Sequence, residues 1–324
     1  MSSPVTHSVE KRTLGKTGMQ VGVLGWGAAE LGFENVPDQT VGALLGVALD
    51  HGLNVVDTAE CYKDSEEKLG RALRGKRAQC FLFTKCGHAP WTPPAGLLDR
   101  VGRKINRTLG RTLRDWDPRL LEVQIDQSLL RLETDYIDLM QLHSCSEEIL
   151  RQGAVIDVLE RARQNGKVRF IGYSGDGDAA LFAVQSGRFQ VLETSLNIAD
   201  QEALQRTLPL ALERGVGVIA KRPIANAVWK HSVQPENSYH HVYWDRIQKL
   251  QYQFLHDPNK AVETALRFTL TAPGVQAAIV GTTKPDHWRK NAESISAGPL
   301  DPMQFDSIRG RWKQVAGPDW VGQE

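Results

Sequence analysis

Eight short apolar runs recur along this 324-residue chain, and a segment of helical character follows each one. The runs are residues 19–25, 54–56, 80–84, 136–142, 168–174, 190–194, 216–220 and 276–280. Helical patterns cover 37–50, a segment opening at Asp64, and 118–131, 154–163, 179–186, 202–213, 259–270, 285–295 and 302–314. Strands alternating with helices predict a parallel sheet. Eight such units predict one that closes, a (β/α)8 TIM barrel with its strand C-termini on a single face. The whole chain, 1–324, reads as one such domain, with residues 1–12 a loose N-terminal leader. An open dinucleotide-binding sheet fits less well. Gly25-Trp26-Gly27 lacks the third glycine of the phosphate-binding turn, and no helix follows at once. Two stretches, 87–117 and 223–251, interrupt the rhythm and are expected to lie over the C-terminal face.

Composition removes several function classes. Lys and Arg total 39 against 38 Asp and Glu, a formal charge of +1, which gives no electrostatic case for nucleic acid or an anionic membrane surface. No run of about 18 apolar residues is present, so nothing is expected to span a membrane. The first twelve residues lack the apolar core of a secretory signal. The four cysteines, Cys61, Cys80, Cys86 and Cys145, form no CxxC pair, so no metal site is expected. Reduced thiols suit a cytoplasmic location.

Three successive runs end in residues with chemistry: Asp57, Lys85 and His143, and Tyr62 follows the first by five positions. On a barrel these converge at the C-terminal mouth. A buried ammonium needs a counter-ion, and Asp57 supplies one for Lys85. A cation beside a phenol lowers its pKa, which would let Tyr62 act as a general acid near neutral pH. His143 would orient a carbonyl by hydrogen bonding, and the group as a whole would stabilise charge developing on oxygen.

The order Asp57, Tyr62, Lys85, His143 resembles the catalytic tetrad of the aldo-keto reductase family. The flanking segments agree: Asp57-Thr58-Ala59, Ser65-Glu66-Glu67-Lys68-Leu69-Gly70, Asp135-Tyr136-Ile137-Asp138-Leu139, and Gly166 through Ser174. The likeness runs over about residues 13–295. It implies reduction of an aldehyde or ketone, or oxidation of the matching alcohol, by hydride transfer with an extended nicotinamide cofactor. By the same resemblance Gly27 and Ala28 would line the nicotinamide. Ser174 and Glu193 would hold its carboxamide, although the family commonly has Gln at the latter position. Lys221 would stand where many members place a stacking aromatic, and Arg222, Pro223 and Ile224 would cover the pyrophosphate. Gly281, Thr282, Thr283, Lys284, His287 and Asn291 would take the adenosine end. Lys284 suits a 2′-phosphate, so NADPH is expected, with NADH possible. The substrate is expected to be a small carbonyl compound. Trp91, Trp229, Tyr239, Tyr243 and Trp244 could line its pocket or pack the loops.

Two other functions fit parts of this pattern. One is a cofactor-binding regulatory subunit of the same fold with little turnover. The other is a lyase using Lys85 as a Schiff base, which wants a neutral lysine and is opposed by Asp57.

Overall fold

The computed structural model describes residues 9–88 and 114–323. Eight parallel strands close into a barrel in the order β10–β3–β4–β5–β6–β7–β8–β9. They are β3 (Leu24–Gly27), β4 (Val55–Asp57), β5 (Phe81–Cys86), β6 (Ile137–His143), β7 (Val168–Ser174), β8 (Val191–Ser195), β9 (Gly217–Lys221) and β10 (Ala277–Gly281). Closure is made by β10, which pairs with β9 on one side and with β3 on the other, through Ala278 opposite Leu24 and Gly281 opposite Gly27. The strand residues are almost all buried, as expected of a sheet covered on one face and packed with side chains on the other.

The period of two in each strand divides the core. Val55, Phe83, Leu139, Val191 and Ile219 point into the barrel and pack together. Their neighbours Val56, Leu82, Met140, Leu192 and Val218 point outward, against helix residues such as Leu44, Leu69, Ile125 and Leu159. Helices Asp38–Asp50, Ser65–Ala72, Pro118–Arg131, Ala154–Gln164, Gly177–Ser186, Thr207–Arg214, Pro258–Thr271 and Pro285–Ile295 follow the strands. Where residues 202–213 read as one helix, Glu202–Leu204 is a 3-10 turn and the α-helix begins at Thr207, two residues before Pro209.

Lys11 and Arg12, expected in a loose leader, belong to a strand. β1 (Lys11–Thr13) and β2 (Gln20–Gly22) form an antiparallel hairpin. The apolar run 19–25 is therefore two strands: β2 belongs to the hairpin, and β3 enters the barrel. Leu14, Met19 and Val21 from this hairpin join the interior cluster. Lys16 donates its N–H to the Gly215 carbonyl at 3.0 Å, in the turn before β9. The hairpin thus stops the N-terminal end of the barrel and leaves the other end for a site.

The second interruption, residues 223–251, is not irregular throughout. Residues His241–Leu250 form a helix, and Tyr243, Ile247 and Leu250 anchor it in a second core with Ile198, Phe268 and Trp312. Among the described residues no helix is long and apolar enough to cross a membrane.

Candidate active site

Each barrel strand delivers one residue to the C-terminal mouth. These are Gly27, Asp57, Lys85, His143, Ser174, Glu193, Lys221 and Gly281, in strand order. Above them lies a cavity of about 590 Å³.

Lys85 is buried, at 1% exposure. Its ammonium is hydrogen-bonded to the Asp57 carboxylate and donates to the Thr58 carbonyl at 3.1 Å. Glu193 stands on its other side, Oε1 lying 3.4 Å from Nζ. Burial acts to lower the Lys85 pKa, but the carboxylates of Asp57 and Glu193 overcome it and hold the ammonium above its ordinary value. Asp57 is pushed well above the usual carboxylate range by burial and by Glu193, against the pull of Lys85. Its Oδ1 is buried without a partner.

Tyr62 reaches the site from the loop after β4. Its ring meets His143 edge-on, with centroids 5.7 Å apart, and Lys85 Nζ lies 5.7 Å from the ring centre. The loop is fixed locally: the Tyr62 N–H donates to the Ala59 carbonyl at 3.1 Å, and the Ser65 N–H donates to the Tyr62 carbonyl at 3.0 Å. The expected fall in the phenol's pKa is not the net result. Burial raises it, Lys85 pulls it back, and the balance lies above the ordinary value. Tyr62 is therefore a neutral phenol that holds its proton.

His143 is also neutral across ordinary pH. Burial, and then the charges of Lys85, His88, Lys221 and Arg222, drive it well below its usual value. Its Nδ1 lies 3.5 Å from Cys61 Sγ. Burial pushes that thiol up to about 12, so it stays protonated and available as a donor.

These four side chains share one mouth of a closed eightfold barrel, and the aldo/keto reductase family model matches residues 23–313. The chain belongs to the aldo/keto reductase family. Among curated relatives, the uncharacterized oxidoreductase YqkF of Bacillus subtilis is 25% identical over 94% of this chain and 97% of its own. The L-galactose dehydrogenase of Arabidopsis thaliana is 26% identical over 89% of this chain and 88% of its own. Among solved structures, the holo form of the aldo-keto reductase AKR11C1 from Bacillus halodurans superposes with a TM-score of 0.77. It covers 96% of this chain and 99% of that one at 24% identity, a likeness of fold.

Of the residues this family reading assigns to a cofactor, Gly27, Ala28, Ser174, Glu193 and Lys221 line the cavity, as do Arg222, Pro223, Ile224, Gly281 and His287. Thr282, Thr283, Lys284 and Asn291 are not among its walls. The Thr282 carbonyl accepts from the Trp26 indole at 3.1 Å, and the Thr283 hydroxyl bonds Glu34 at 3.3 Å. Asn291 is buried on the helix that follows. Burial and then Lys284, Lys230 and Lys290 hold His287 below its usual pKa, so it supplies less charge near neutral pH than its position suggested.

Lys221 and Arg222 are positioned by a residue that sequence reasoning missed. Asp176 is buried beneath them, 3.1 Å from Lys221 Nζ and 3.9 Å from Arg222 Nη1. It accepts from Thr194 Oγ1, the Ser195 N–H and Ser195 Oγ at 2.7, 2.6 and 2.9 Å. Glu30, Asn226, Ala227 and Lys230 also line the cavity without having been singled out. A lone Asp behind Ser174-Gly175 carries no sequence signal, because only the fold brings it under β9.

Of the loop aromatics, Tyr239 lines the cavity. Tyr243 is fully buried and donates to Asp200 at 2.9 Å, and Trp229 and Trp244 pack against the second core. Trp91 lies outside the described residues.

Proposed function

We propose that this protein is a nicotinamide-dependent carbonyl reductase that uses NADPH, with Tyr62 as the proton donor. The observation that carries this reading is the convergence of Tyr62, His143 and Asp57 on one cavity, with Lys85 buried behind its wall and paired to Asp57. The residues present fit the cofactor. In the loop after β9, Arg222, Ala225, Asn226 and Ala227 adopt φ of 53°, 45°, 53° and 52°. Left-handed backbone is strained for residues with side chains and is kept where a loop is held over a site; here the Ala225 and Ala227 N–H groups fix the loop by donating to the Arg222 and Ile224 carbonyls at 2.9 and 2.7 Å. Lys221 and Arg222 stand beside it. Ser174 supplies a hydroxyl suited to a carboxamide, while Lys230 and Lys284 add charge suited to a 2′-phosphate.

When bound, the nicotinamide supplies the hydride, which no side chain can. The chain's own residues handle the proton and the developing charge. Cys61 can donate its S–H to His143 Nδ1, which leaves the imidazole proton on Nε2 to meet the substrate oxygen. Tyr62 is protonated and delivers its proton as that oxygen gains charge. Lys85, charged and fixed by Asp57, then stabilises the phenolate left behind. Because the ammonium stays charged, Lys85 is a poor Schiff-base nucleophile.

The test is to mix the purified protein with NADPH and a panel of aldehydes, ketones and sugars, following nicotinamide absorbance. Carbonyl-dependent consumption is expected. Cofactor binding without consumption across the panel would favour the regulatory-subunit reading instead.

A further inference from the structure

The charge at the cavity floor is unbalanced in a way that the four-residue site does not require. A Lys85–Asp57 pair alone would be neutral. Glu193, 2% exposed, adds a second carboxylate 3.4 Å from the same ammonium. Its other bonds come from neutral donors: Gln141 Nε2 gives to Oε2 at 2.8 Å and Ser174 Oγ gives to Oε1 at 3.2 Å. The next cations up the wall, Lys221 and Arg222, are matched to Asp176 rather than to Glu193. His143 contributes no charge. A buried carboxylate that shares its close cation with another carboxylate is costly unless a proton on one of them or a further positive charge completes the site, and the upward push that burial and Glu193 give Asp57 expresses that demand.

We infer that Glu193 makes this site prefer an oxidised nicotinamide to a reduced one, because the oxidised ring carries a positive charge that two carboxylates sharing one ammonium would otherwise meet only by holding a proton. The inference rests on the nicotinamide reading above and deepens it. A glutamine here would have the same size and the same hydrogen-bonding reach but no charge, so it would hold the two redox forms more nearly alike. The carboxylate instead favours the form that exists after hydride has left. It therefore shifts the equilibrium between the bound redox forms toward oxidised cofactor and reduced substrate. Within a buried site a single charge is felt strongly, because little solvent screens it.

Fluorescence or calorimetric titration of NADP+ and NADPH against the parent protein and Glu193→Gln tests this without turnover. The parent is expected to bind the oxidised form more tightly. In Glu193→Gln the ratio of the two dissociation constants should move toward the reduced form by roughly tenfold or more, the scale of one charge-assisted contact. Glu193→Asp keeps the charge and should keep the parent's preference. An unchanged ratio in Glu193→Gln, or a parent that prefers NADPH, would overturn the inference while leaving the reductase reading intact. If Glu193→Gln fails to fold, a parent that prefers NADPH still overturns the inference. A parent that binds neither nucleotide would overturn the reductase reading itself, and this inference with it.

Discussion

Lys85 and Tyr62 lie side by side at the barrel mouth, on neighbouring β/α units, the ammonium 5.7 Å from the centre of the phenol ring. The lysine is held charged by two carboxylates while the tyrosine is kept protonated by burial. On the proposed reading, the proton donor and the cation that would receive its conjugate base are thus already in place before any ligand arrives.

Removing the cation should do more harm than removing one of its partners. Lys85→Met leaves Asp57 and Glu193 buried together with no counter-ion, and losing one member of a buried pair costs about 3–5 kcal/mol. Asp57→Asn leaves Glu193 as the partner of Lys85 and should cost less. Denaturant melts of the two variants check the order, and turnover should vanish in Lys85→Met. Equal stability losses would show that Glu193 cannot substitute for Asp57.

The pH dependence of carbonyl reduction follows from two displaced groups. His143 lies below its ordinary value, so it has lost its charge before neutral pH is reached. Tyr62 lies above its ordinary value, so its acid form persists through the mildly alkaline range. The rate of the chemical step should be flat across neutral pH and fall only above the usual phenol range near pH 10. A limb near the histidine's usual value of about 6.5 would contradict the neutral imidazole.

Gly32 holds the backbone behind Tyr62. A side-chain carbon added at Gly32 would collide with the Tyr62 carbonyl oxygen, a backbone atom with no freedom to swing away. Gly32→Ala should therefore displace the phenol. A misplaced catalytic group can cost on the order of 100-fold in rate, and cofactor affinity should change little. Steady-state kinetics with cofactor titration separate the two effects. An unaltered kcat would mean that the loop after β4 yields more readily than its hydrogen bonds indicate.

On the proposed reading, cofactor choice should turn on the segment from Gly281 to His287. Lys284→Ala should weaken NADPH by roughly 10- to 150-fold and leave NADH nearly unchanged, if the lysine meets the 2′-phosphate. Since His287 is held low, its charge should strengthen NADPH binding only below the usual histidine range. Glu34, bonded to Thr283, opposes a phosphate there. Paired titrations of NADPH and NADH at two pH values give the answer, and equal affinities in the parent would show that this turn does not read the phosphate.

The barrel was legible because each strand is an apolar run, and six of the eight bring a polar residue to the mouth: Asp57, Lys85, His143, Ser174, Glu193 and Lys221. Asp57, Lys85 and His143 could be read as convergent from topology alone, since every strand opens on one face. The hairpin strand Lys11–Thr13 was not legible. Its alternation is exposed and charged, and only Leu14, the residue after it, is wholly buried. The helix His241–Leu250 did carry a signal, since Tyr243, Ile247 and Leu250 repeat at helical spacing, but the surrounding histidines and aromatic residues obscured it. Distances across the barrel are not in the sequence at all. Glu193 sits 108 positions after Lys85, and the ion pair between them exists because β8 and β5 face one another through the barrel. The net direction of the Tyr62 shift was missed for a related reason: the sequence names the nearby cation but not the depth of burial that outweighs it.

The central claim is that Tyr62 gives the proton, and one variant tests it most directly. Tyr62→Phe keeps the ring against His143 and removes only the hydroxyl. Single-turnover reduction of an aldehyde by the NADPH-loaded variant should be slower than the parent's by roughly 10²- to 10⁴-fold, the usual worth of a general acid, with NADPH affinity nearly unchanged. A variant that reduces the aldehyde at a rate close to the parent's would contradict the assignment of Tyr62 as the proton donor.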